Sequence, residues 1–244
     1  MRQSTLRLHL LEHEPAYFTE TNIAIWAKKK DYTITKTDVF NQEPFPHRDD
    51  FDWLMIMGGF QHIWQEEANR WLIAEKKFLD DTLRSGKIVL GICLGAQLLA
   101  EAFGGRAFTN EQPEIGWHEV SLNPEGKNSF LFKDVPDGFL TFHWHFDHFS
   151  LPAGCTCLAG SEPTVNQAFI HNESPAVGLQ FHPEYTSRMV KFYAGQYGHE
   201  WGPGPFVIGK ADVLAQTEQI PDTYWLMEKL LDNMDRKFAG TLVA

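Results

Sequence analysis

Cys93 lies between two glycines in the segment 91–95, Gly-Ile-Cys-Leu-Gly. The apolar, β-branched run 87–92 predicts a buried strand, and residues 94–103 predict a helix. A residue at such a junction forms a nucleophile elbow, whose sharp turn exposes the side chain above the sheet. The helix N-terminus favours a thiolate and places the Leu94 N–H beside it. We therefore predict Cys93 as a nucleophile and Leu94 as an oxyanion donor, with a buried structural cysteine as the alternative.

A histidine and a glutamate follow a second apolar run, residues 176–179, in the segment 180–184, Gln-Phe-His-Pro-Glu. Residues two apart on an extended chain face the same side, so the Glu184 carboxylate can orient the His182 imidazole. A cysteine nucleophile needs such a base, and the base needs such an orienting group. Each residue alone is common on a surface, but together with the elbow they predict a triad of Cys93, His182 and Glu184.

Strands and helices alternate through the first hundred residues in the order strand, helix, strand, strand, helix, strand, helix. This alternation predicts an α/β fold with a doubly wound, mostly parallel sheet and helices on both faces. The predicted strands are 5–11, 32–40, 51–57 and 87–92, and the predicted helices are 16–30, 67–85 and 94–103.

The rest of the chain has a different pattern. Residues 106–180 are richer in short strands and turns. The later elements are predicted helices at 187–197 and 221–238 and a Gly/Pro-rich loop at 198–209. We interpret residues 1–197 as the main domain and residues 198–244 as a C-terminal loop and helix packed on the same domain.

The charge balance limits the partners. The 244 residues carry 21 Lys and Arg against 32 Asp and Glu, a formal net charge of −11. Such a surface repels phosphate backbones and anionic lipids, so we expect no nucleic acid and no membrane as partner. No apolar run approaches the roughly 20 residues that span a bilayer, and the first residues lack a signal-peptide core. These features predict a cytoplasmic location.

Histidines and cysteines are the residues that could bind a metal. His143, His145 and His148 lie close together, but no fourth ligand follows at a usual spacing. Cys155 and Cys157 lack a second ligand pair, and three cysteines do not form a disulfide framework. We therefore predict no metal and no cofactor, and expect the three histidines to serve packing or substrate contact.

Five motifs occur in a fixed order along the chain. They are Met57-Gly58-Gly59, residues 91–97, Glu114-Ile115-Gly116-Trp117, His145-Phe146-Asp147 and residues 180–184. Together they resemble the signatures of class I glutamine amidotransferases, most closely the free-standing proteins similar to the glutaminase domain of GMP synthase. The similarity covers residues 51–191 and, more loosely, the N-terminal strands. It implies a flavodoxin-like class I glutaminase fold.

The resemblance also implies roles for individual residues. Gly59 matches the glycine whose N–H is the second oxyanion donor, beside that of Leu94. Gln97 matches a side chain that contacts bound glutamine. Trp144 and His145 match the segment whose backbone holds the amino-acid end of the substrate.

The predicted reaction is hydrolysis of the glutamine side-chain amide through a glutamyl thioester, with release of ammonia and glutamate. If the ammonia is transferred, an ammonia-accepting synthetase subunit is the expected partner. One alternative is a hydrolase of another γ-glutamyl compound, a peptide or an amine. A second alternative is a non-catalytic binding protein that retains the fold. Phe60 and Phe146 bear on the choice of substrate. Many relatives have proline at the position of Phe60, and the GMP-synthase type usually has glycine at the position of Phe146. The bulk of the two phenylalanines can reshape the mouth of the pocket.

Overall fold

The computed structural model describes residues 5–14, 21–219 and 223–238. The strands of this part of the chain form one sheet. They are β1 (Arg7–Glu12), β2 (Thr33–Asp38), β3 (Trp53–Ile56), β4 (Ile88–Ile92), β5 (Ala107–Leu122), β6 (Gly138–Phe149), β7 (Cys155–Gly160), β8 (Ala168–His171) and β9 (Ala176–Leu179). Their order across the sheet is β2-β1-β3-β4-β9-β8-β7-β5-β6.

Helices cover both faces of this sheet. They are α1 (Asn22–Lys29), α2 (Trp71–Arg84), α3 (Leu94–Ala102), α4 (Pro124–Lys127), α5 (Ser187–Tyr197), α6 (Lys210–Gln219) and α7 (Tyr224–Phe238), with one 3-10 turn at Arg48–Asp50. Trp26 of α1 and Leu230 of α7 are buried on one face, and Leu72 and Leu79 of α2 on the other. Within the described ranges, every helix falls short of the length and apolar content of a membrane span.

The sheet divides into a parallel and an antiparallel half. The pairings among β2, β1, β3, β4 and β9 are parallel, and those from β9 to β6 are antiparallel. The predicted α/β class with helices on both faces is confirmed, but the described sheet is mixed where we expected it to be mostly parallel. The parallel pairings lie in the half built mainly from the first hundred residues. Because β4 and β9 are neighbours, the residues that follow them meet at one sheet edge.

The first two strands after residue 106 are longer than the sequence suggested. β5 has 16 residues and β6 has 12, where we expected short strands. Pro113 and Gly116 inside β5 resemble turn residues, which masked the strand. A register shift between Thr109 and Glu114 accommodates the proline by removing it from regular pairing.

Most helix predictions are confirmed with shifted ends. α5 has the predicted bounds, whereas α2 begins at Trp71 instead of residue 67. Residues 16–20 and 221–222 of two predicted helices lie outside the described residues. α6 was not anticipated, because its segment contains few apolar residues and buries little beyond Val213.

The last two helices pack on elements of the main domain. Trp117 of β5 donates from Nε1 to Thr217 Oγ1 of α6 at 2.9 Å. Trp26 of α1 donates from Nε1 to Asp232 Oδ1 of α7, also at 2.9 Å. Before α6, the chain pairs with β5 through a bridge between Ile115 and Val207. Helices α6 and α7 therefore each pack into a hydrophobic cluster beside the sheet.

Candidate active site

Cys93 occupies the turn between β4 and α3. Its backbone has φ 52° and ψ −107°, a left-handed conformation that residues with side chains rarely adopt. Its N–H donates to the Leu179 carbonyl of β9 at 2.8 Å, and its carbonyl accepts from Gln97 N–H. The residue is 5% exposed, and Sγ lies 3.8 Å from the Trp144 carbonyl oxygen. The strand, turn and helix that a nucleophile elbow requires are present.

The two glycines of the elbow allow backbone segments to approach closely. A Cβ on Gly91 would lie 2.3 Å from the Gly95 carbonyl oxygen, and one on Gly95 would lie 2.1 Å from the Ile56 carbonyl oxygen. Both distances are below the 3.0 Å that real Cβ atoms keep. These oxygens belong to backbone, so relief would require α3 to move away from β3 and β4.

We expect Gly95→Ala to lower the free energy of unfolding by about 3 kcal/mol, the upper end of the usual range for overpacking. Urea denaturation measures this change. Gly195→Ala in α5 is the matched control, because a Cβ there meets nothing within 4 Å. The control should be neutral or gain about 0.5–1 kcal/mol from helix propensity. Equal stability of Gly95→Ala and the unmodified protein would contradict the close approach.

His182 lies between a carboxylate and the Cys93 thiol. Its Nδ1 is 2.8 Å from Glu184 Oε1, both side chains are buried, and a Cβ on Gly58 would lie 3.0 Å from His182 Cε1 and 3.6 Å from Cys93 Cβ. Burial alone would lower the pKa of His182, but Glu184 and Cys93 outweigh it and hold that pKa well above its ordinary value. The structure thus brings together the three residues that the sequence singled out.

Asn22, at the start of α1, fixes the chain around Glu184. Its Nδ2 donates to the carbonyl oxygens of Pro183 and Tyr185 at 2.9 and 3.0 Å. Its N–H donates to the Glu184 carbonyl at 2.9 Å. Local sequence carries no signal for this role, because 161 residues separate Asn22 from Pro183.

Gly58 and Gly59 follow β3 and lie beside the elbow. A Cβ on Gly58 would be 3.0 Å from His182 Cε1, and one on Gly59 would be 3.0 Å from Leu94 Cδ1. The loop therefore faces the histidine on one side and the first residue of α3 on the other. Gly59 and Leu94, which the resemblance assigns as oxyanion donors, are therefore neighbours in the fold, and their role stays a prediction.

A buried ion pair behind this loop was missed by sequence reasoning. His13 Nε2 lies 2.8 Å from Glu75 Oε1, and His13 Nδ1 lies 3.3 Å from the Gly58 carbonyl oxygen. Burial would lower the pKa of His13, but Glu75 outweighs it and raises that pKa. A cationic His13 donates from both nitrogens, so it binds the carboxylate and the loop carbonyl together. The available signal was its position just after β1, at the edge where Cys93 and His182 lie.

A pocket of about 610 Å³ opens above Cys93. Gly59, the predicted oxyanion donor, lines it, and so do the three residues predicted to contact substrate, Gln97, Trp144 and His145. Gln97 Nε2 donates to Gln180 Oε1 at 3.3 Å, which holds the Gln97 side chain at the pocket floor. The volume lies within the range of about 300–1,000 Å³ that is typical of small-molecule sites.

Aromatic side chains form one wall of this pocket. The Phe60 ring lies 5.1 Å from the ring of Trp144 and 5.2 Å from that of Tyr197, centre to centre. Phe60 is 50% exposed and Phe146 is 41% exposed. Both bulky departures from the motif pattern therefore stand at the mouth, with surface available to a ligand.

The family model for glutamine amidotransferase class-I matches residues 18–191. The chain belongs to this family. The glutamine amidotransferase-like protein YfeJ of Salmonella typhimurium is 30% identical over 190 residues, which are 76% of this chain and 79% of that protein. A glutamine-hydrolyzing GMP synthase subunit of Methanocaldococcus jannaschii is 33% identical over 132 residues, which are 52% of this chain and 69% of that protein.

Solved structures of class I glutamine amidotransferases share the fold. A glutamine amidotransferase of Thermotoga maritima superposes with a TM-score of 0.84 at 27% identity, over 95% of this chain and 99% of that chain. A glutamine amidotransferase of Methylobacillus flagellatus gives 0.85 at 22% identity, over 96% of both chains, which bears on the fold alone. The predicted flavodoxin-like fold and the family resemblance are confirmed.

The amidotransferase pocket also contains polar residues that sequence reasoning did not select. A hydrogen bond joins His62 Nδ1 to Asp147 Oδ2, and both residues line the pocket together with Thr109 and Glu200. Asp147 belongs to the fourth of the five motifs, but nothing local linked it to His62, 85 residues away. These groups add polar atoms to a pocket that also has an aromatic wall.

Proposed function

We propose that this amidotransferase hydrolyses the side-chain amide of glutamine, with Cys93 as nucleophile, His182 as base and acid, and Glu184 as the group that orients His182. One observation carries the proposal. The buried imidazole lies 2.8 Å from the Glu184 carboxylate and beside the elbow cysteine, which lines a pocket of ligand size. Family membership supports glutamine as the substrate.

The reaction has two halves. The Cys93 thiolate attacks the amide carbon, and the N–H groups of Gly59 and Leu94 hold the oxyanion. The C–N bond breaks as His182 gives its proton to the nitrogen, so ammonia leaves and a glutamyl thioester remains. His182 then takes a proton from water, which attacks the thioester. Glutamate leaves with its new carboxylate, and the Cys93 thiolate and the protonated His182 return to their starting states.

The remaining contacts place the substrate. Gln97, Trp144 and His145 line the pocket. In this proposal the Gln97 side chain contacts the bound glutamine, and the backbone of Trp144 and His145 holds its amino-acid end. The reaction needs no cofactor, and we assign it to the cytoplasm. Relatives described as subunits of GMP synthase suggest a synthetase partner that accepts the ammonia. The packing of α6 and α7 over apolar surface favours activity of the single chain.

A steady-state assay tests the proposal. We expect the isolated protein, without ATP or a second chain, to release ammonia and glutamate from glutamine in equal amounts. Separate enzymatic determination of the two products checks the ratio. Absence of both products from glutamine and from a panel of γ-glutamyl compounds, even after a co-purifying synthetase is added, would contradict the proposal and favour a binding protein.

The aromatic wall favours a second candidate, hydrolysis of another γ-glutamyl compound. The exposed Phe60, beside Trp144 and Tyr197, can pack against an apolar substituent on the side-chain amide nitrogen of the substrate. Glutamine carries no such substituent. The same triad would then release an amine or a peptide instead of ammonia. Higher kcat/KM for a γ-glutamyl aryl amide than for glutamine, reversed by Phe60→Pro, would support this candidate.

The pair of His13 and Glu75 provides a prediction about the oxyanion site. In a planar trans peptide the Gly58 carbonyl and the Gly59 N–H point in opposite directions. His13 holds the carbonyl, so the N–H is turned away from His13. In Glu75→Gln, a neutral His13 can donate from Nε2 to the amide, which leaves the Nδ1 lone pair facing the Gly58 carbonyl. The loop should then lose its fixed orientation.

We therefore expect Glu75→Gln to lower kcat by about 10- to 100-fold with little change in KM, less than the 100- to 1,000-fold for removing an oxyanion donor outright. Steady-state kinetics separate the two constants. Glu67→Gln, at an exposed position, is the control and should retain both. A rise in KM with native kcat would show that the pair does not act through the oxyanion loop.

A further inference from the structure

Glu114, His143 and His145 converge on one face of the β5–β6 hairpin. In the antiparallel register Glu114 lies opposite His145, and His143 lies two residues before it on the same face. Glu114 Oε1 is 3.7 Å from His143 Nδ1, and Glu114 Oε2 is 3.3 Å from His145 Nε2. One donor atom from each residue lies within 4.8 Å of the other two. Ligands about 2.0–2.2 Å from a tetrahedral ion stand about 3.3–3.6 Å apart, which is close to the two Glu–His distances.

The donor atoms are buried and lack hydrogen-bond partners among the described residues. This holds for both ring nitrogens of His143, for His145 Nε2 and for Glu114 Oε1. All three side chains are at most 2% exposed. Burial of polar atoms without partners is unfavourable, and a bound cation would satisfy one atom of each residue at once.

The groups around these donors are those that orient metal ligands. Glu114 Oε2 accepts from Gln167 Nε2 at 2.7 Å and from Ser161 Oγ at 2.9 Å. His145 Nδ1 lies 3.1 Å from the Asp147 carbonyl oxygen, which can only accept, so Nδ1 carries the hydrogen. In a neutral imidazole the Nε2 lone pair then faces the carboxylate. Metal-bound histidines are commonly held by such a bond from the other ring nitrogen.

We propose that Glu114, His143 and His145 bind one divalent transition-metal ion of the Zn²⁺ type. Two imidazoles and one carboxylate are a donor set that Zn²⁺ accepts, with a further position for water. The ion would lie next to the pocket, since His145 lines it. The bound ion would also fix the backbone just before His145, where the Trp144 carbonyl oxygen faces Cys93 Sγ. The proposed role is to hold β5 and β6 together and to position this edge of the pocket.

Zn²⁺ binding to the full chain tests the proposal. The protein is stripped with a chelator, dialysed and titrated with ZnCl2 against a chromophoric competitor. We expect one Zn²⁺ per chain, bound equally by Cys93→Ala and by a Cys155→Ser/Cys157→Ser double variant. Loss of an outer-shell partner typically costs about 10- to 100-fold in metal affinity, so loss of a ligand in Glu114→Gln or His143→Gln should cost at least about 100-fold.

His118→Gln is the matched control. The His118 ring lies 5.8 Å from that of His143, but its Nε2 already meets the Ile115 carbonyl at 3.0 Å. Its Zn²⁺ affinity should equal that of the unmodified protein. The proposal would be overturned if the unmodified protein bound no stoichiometric Zn²⁺, or if Glu114→Gln bound Zn²⁺ as tightly as the unmodified protein. Glu114 and the two histidines would then share protons among themselves without a metal ion.

X-ray absorption at the zinc edge keeps the test independent of the variants. If both ligand variants fail to fold, the spectrum of the unmodified, Zn²⁺-loaded protein decides. A first shell of nitrogen and oxygen with imidazole scattering supports the three proposed ligands. Sulfur in the first shell would assign the ion to a cysteine and overturn the proposal.

Discussion

Replacement of Cys93 by alanine should lower turnover of glutamine by about 10⁶-fold, the effect of removing a nucleophile from a comparable triad. The loss should be this large because, among the described residues that line the pocket, only Cys93 can form the thioester. Circular dichroism and thermal unfolding should remain close to those of the unmodified protein, since the change removes one sulfur atom. Steady-state release of ammonia and glutamate measures the effect.

The other two cysteines provide the control. Burial raises the pKa of Cys155 to about 11 and also raises that of Cys157. At pH 7 a thiol with a pKa of about 11 is ionised in only about one molecule in 10,000. A γ-glutamyl chloroketone should therefore alkylate Cys93 first, and Cys155→Ala should keep full activity. Mass spectrometry showing Cys155 or Cys157 labelled before Cys93 would contradict the assignment.

Glu184→Gln should lower kcat by about 10⁴-fold, as in a comparable triad that loses its orienting carboxylate. The amide can donate to His182 Nδ1, which stabilises the wrong tautomer, and it carries no charge to stabilise the imidazolium. The change should therefore be much larger than the loss of one hydrogen bond. Glu173→Gln, on an exposed turn after β8, is the control and should retain native kinetics.

The sign of the accompanying pH effect follows from the raised pKa of His182. Glu184 helps to keep His182 protonated, and the cation stabilises the Cys93 thiolate. Loss of the carboxylate lowers the pKa of His182, so the imidazolium persists only to a lower pH than in the unmodified protein. The midpoint of an NMR titration of the His182 ring should therefore shift downward in Glu184→Gln. An unchanged midpoint and near-native kcat would mean that Glu184 is not the third member of the triad.

The order of elements and the catalytic candidates could be predicted because their signals are local. The run 87–92, the glycines around Cys93 and the start of α3 are contiguous, so one segment specifies strand, turn and nucleophile. His182 and Glu184 are two residues apart, so an extended backbone alone places them on one side. The alternation of apolar periods in the first hundred residues likewise indicated the parallel half of the sheet.

Other features depend on contacts between distant segments. The pair of His13 and Glu75 joins the end of β1 to α2 across 62 residues. Local sequence also failed to indicate α6, whose position depends on Trp117 and β5 more than on its own apolar content. In β5, the bulge keeps Pro113 out of regular pairing, so a segment rich in turn residues forms a long strand.

The sequence by itself determined the nucleophile elbow, the histidine with its carboxylate and the α/β class, because residue type and short-range periodicity specify each of them. Only the tertiary structure decided that Glu114 meets two histidines, that His13 holds the Gly58 carbonyl, and that Phe60 joins an aromatic wall at the pocket. These contacts follow from strand register and from packing across the sheet. When two partners lie on separate elements, their spacing along the chain indicates neither the strand register nor the packing that brings them together.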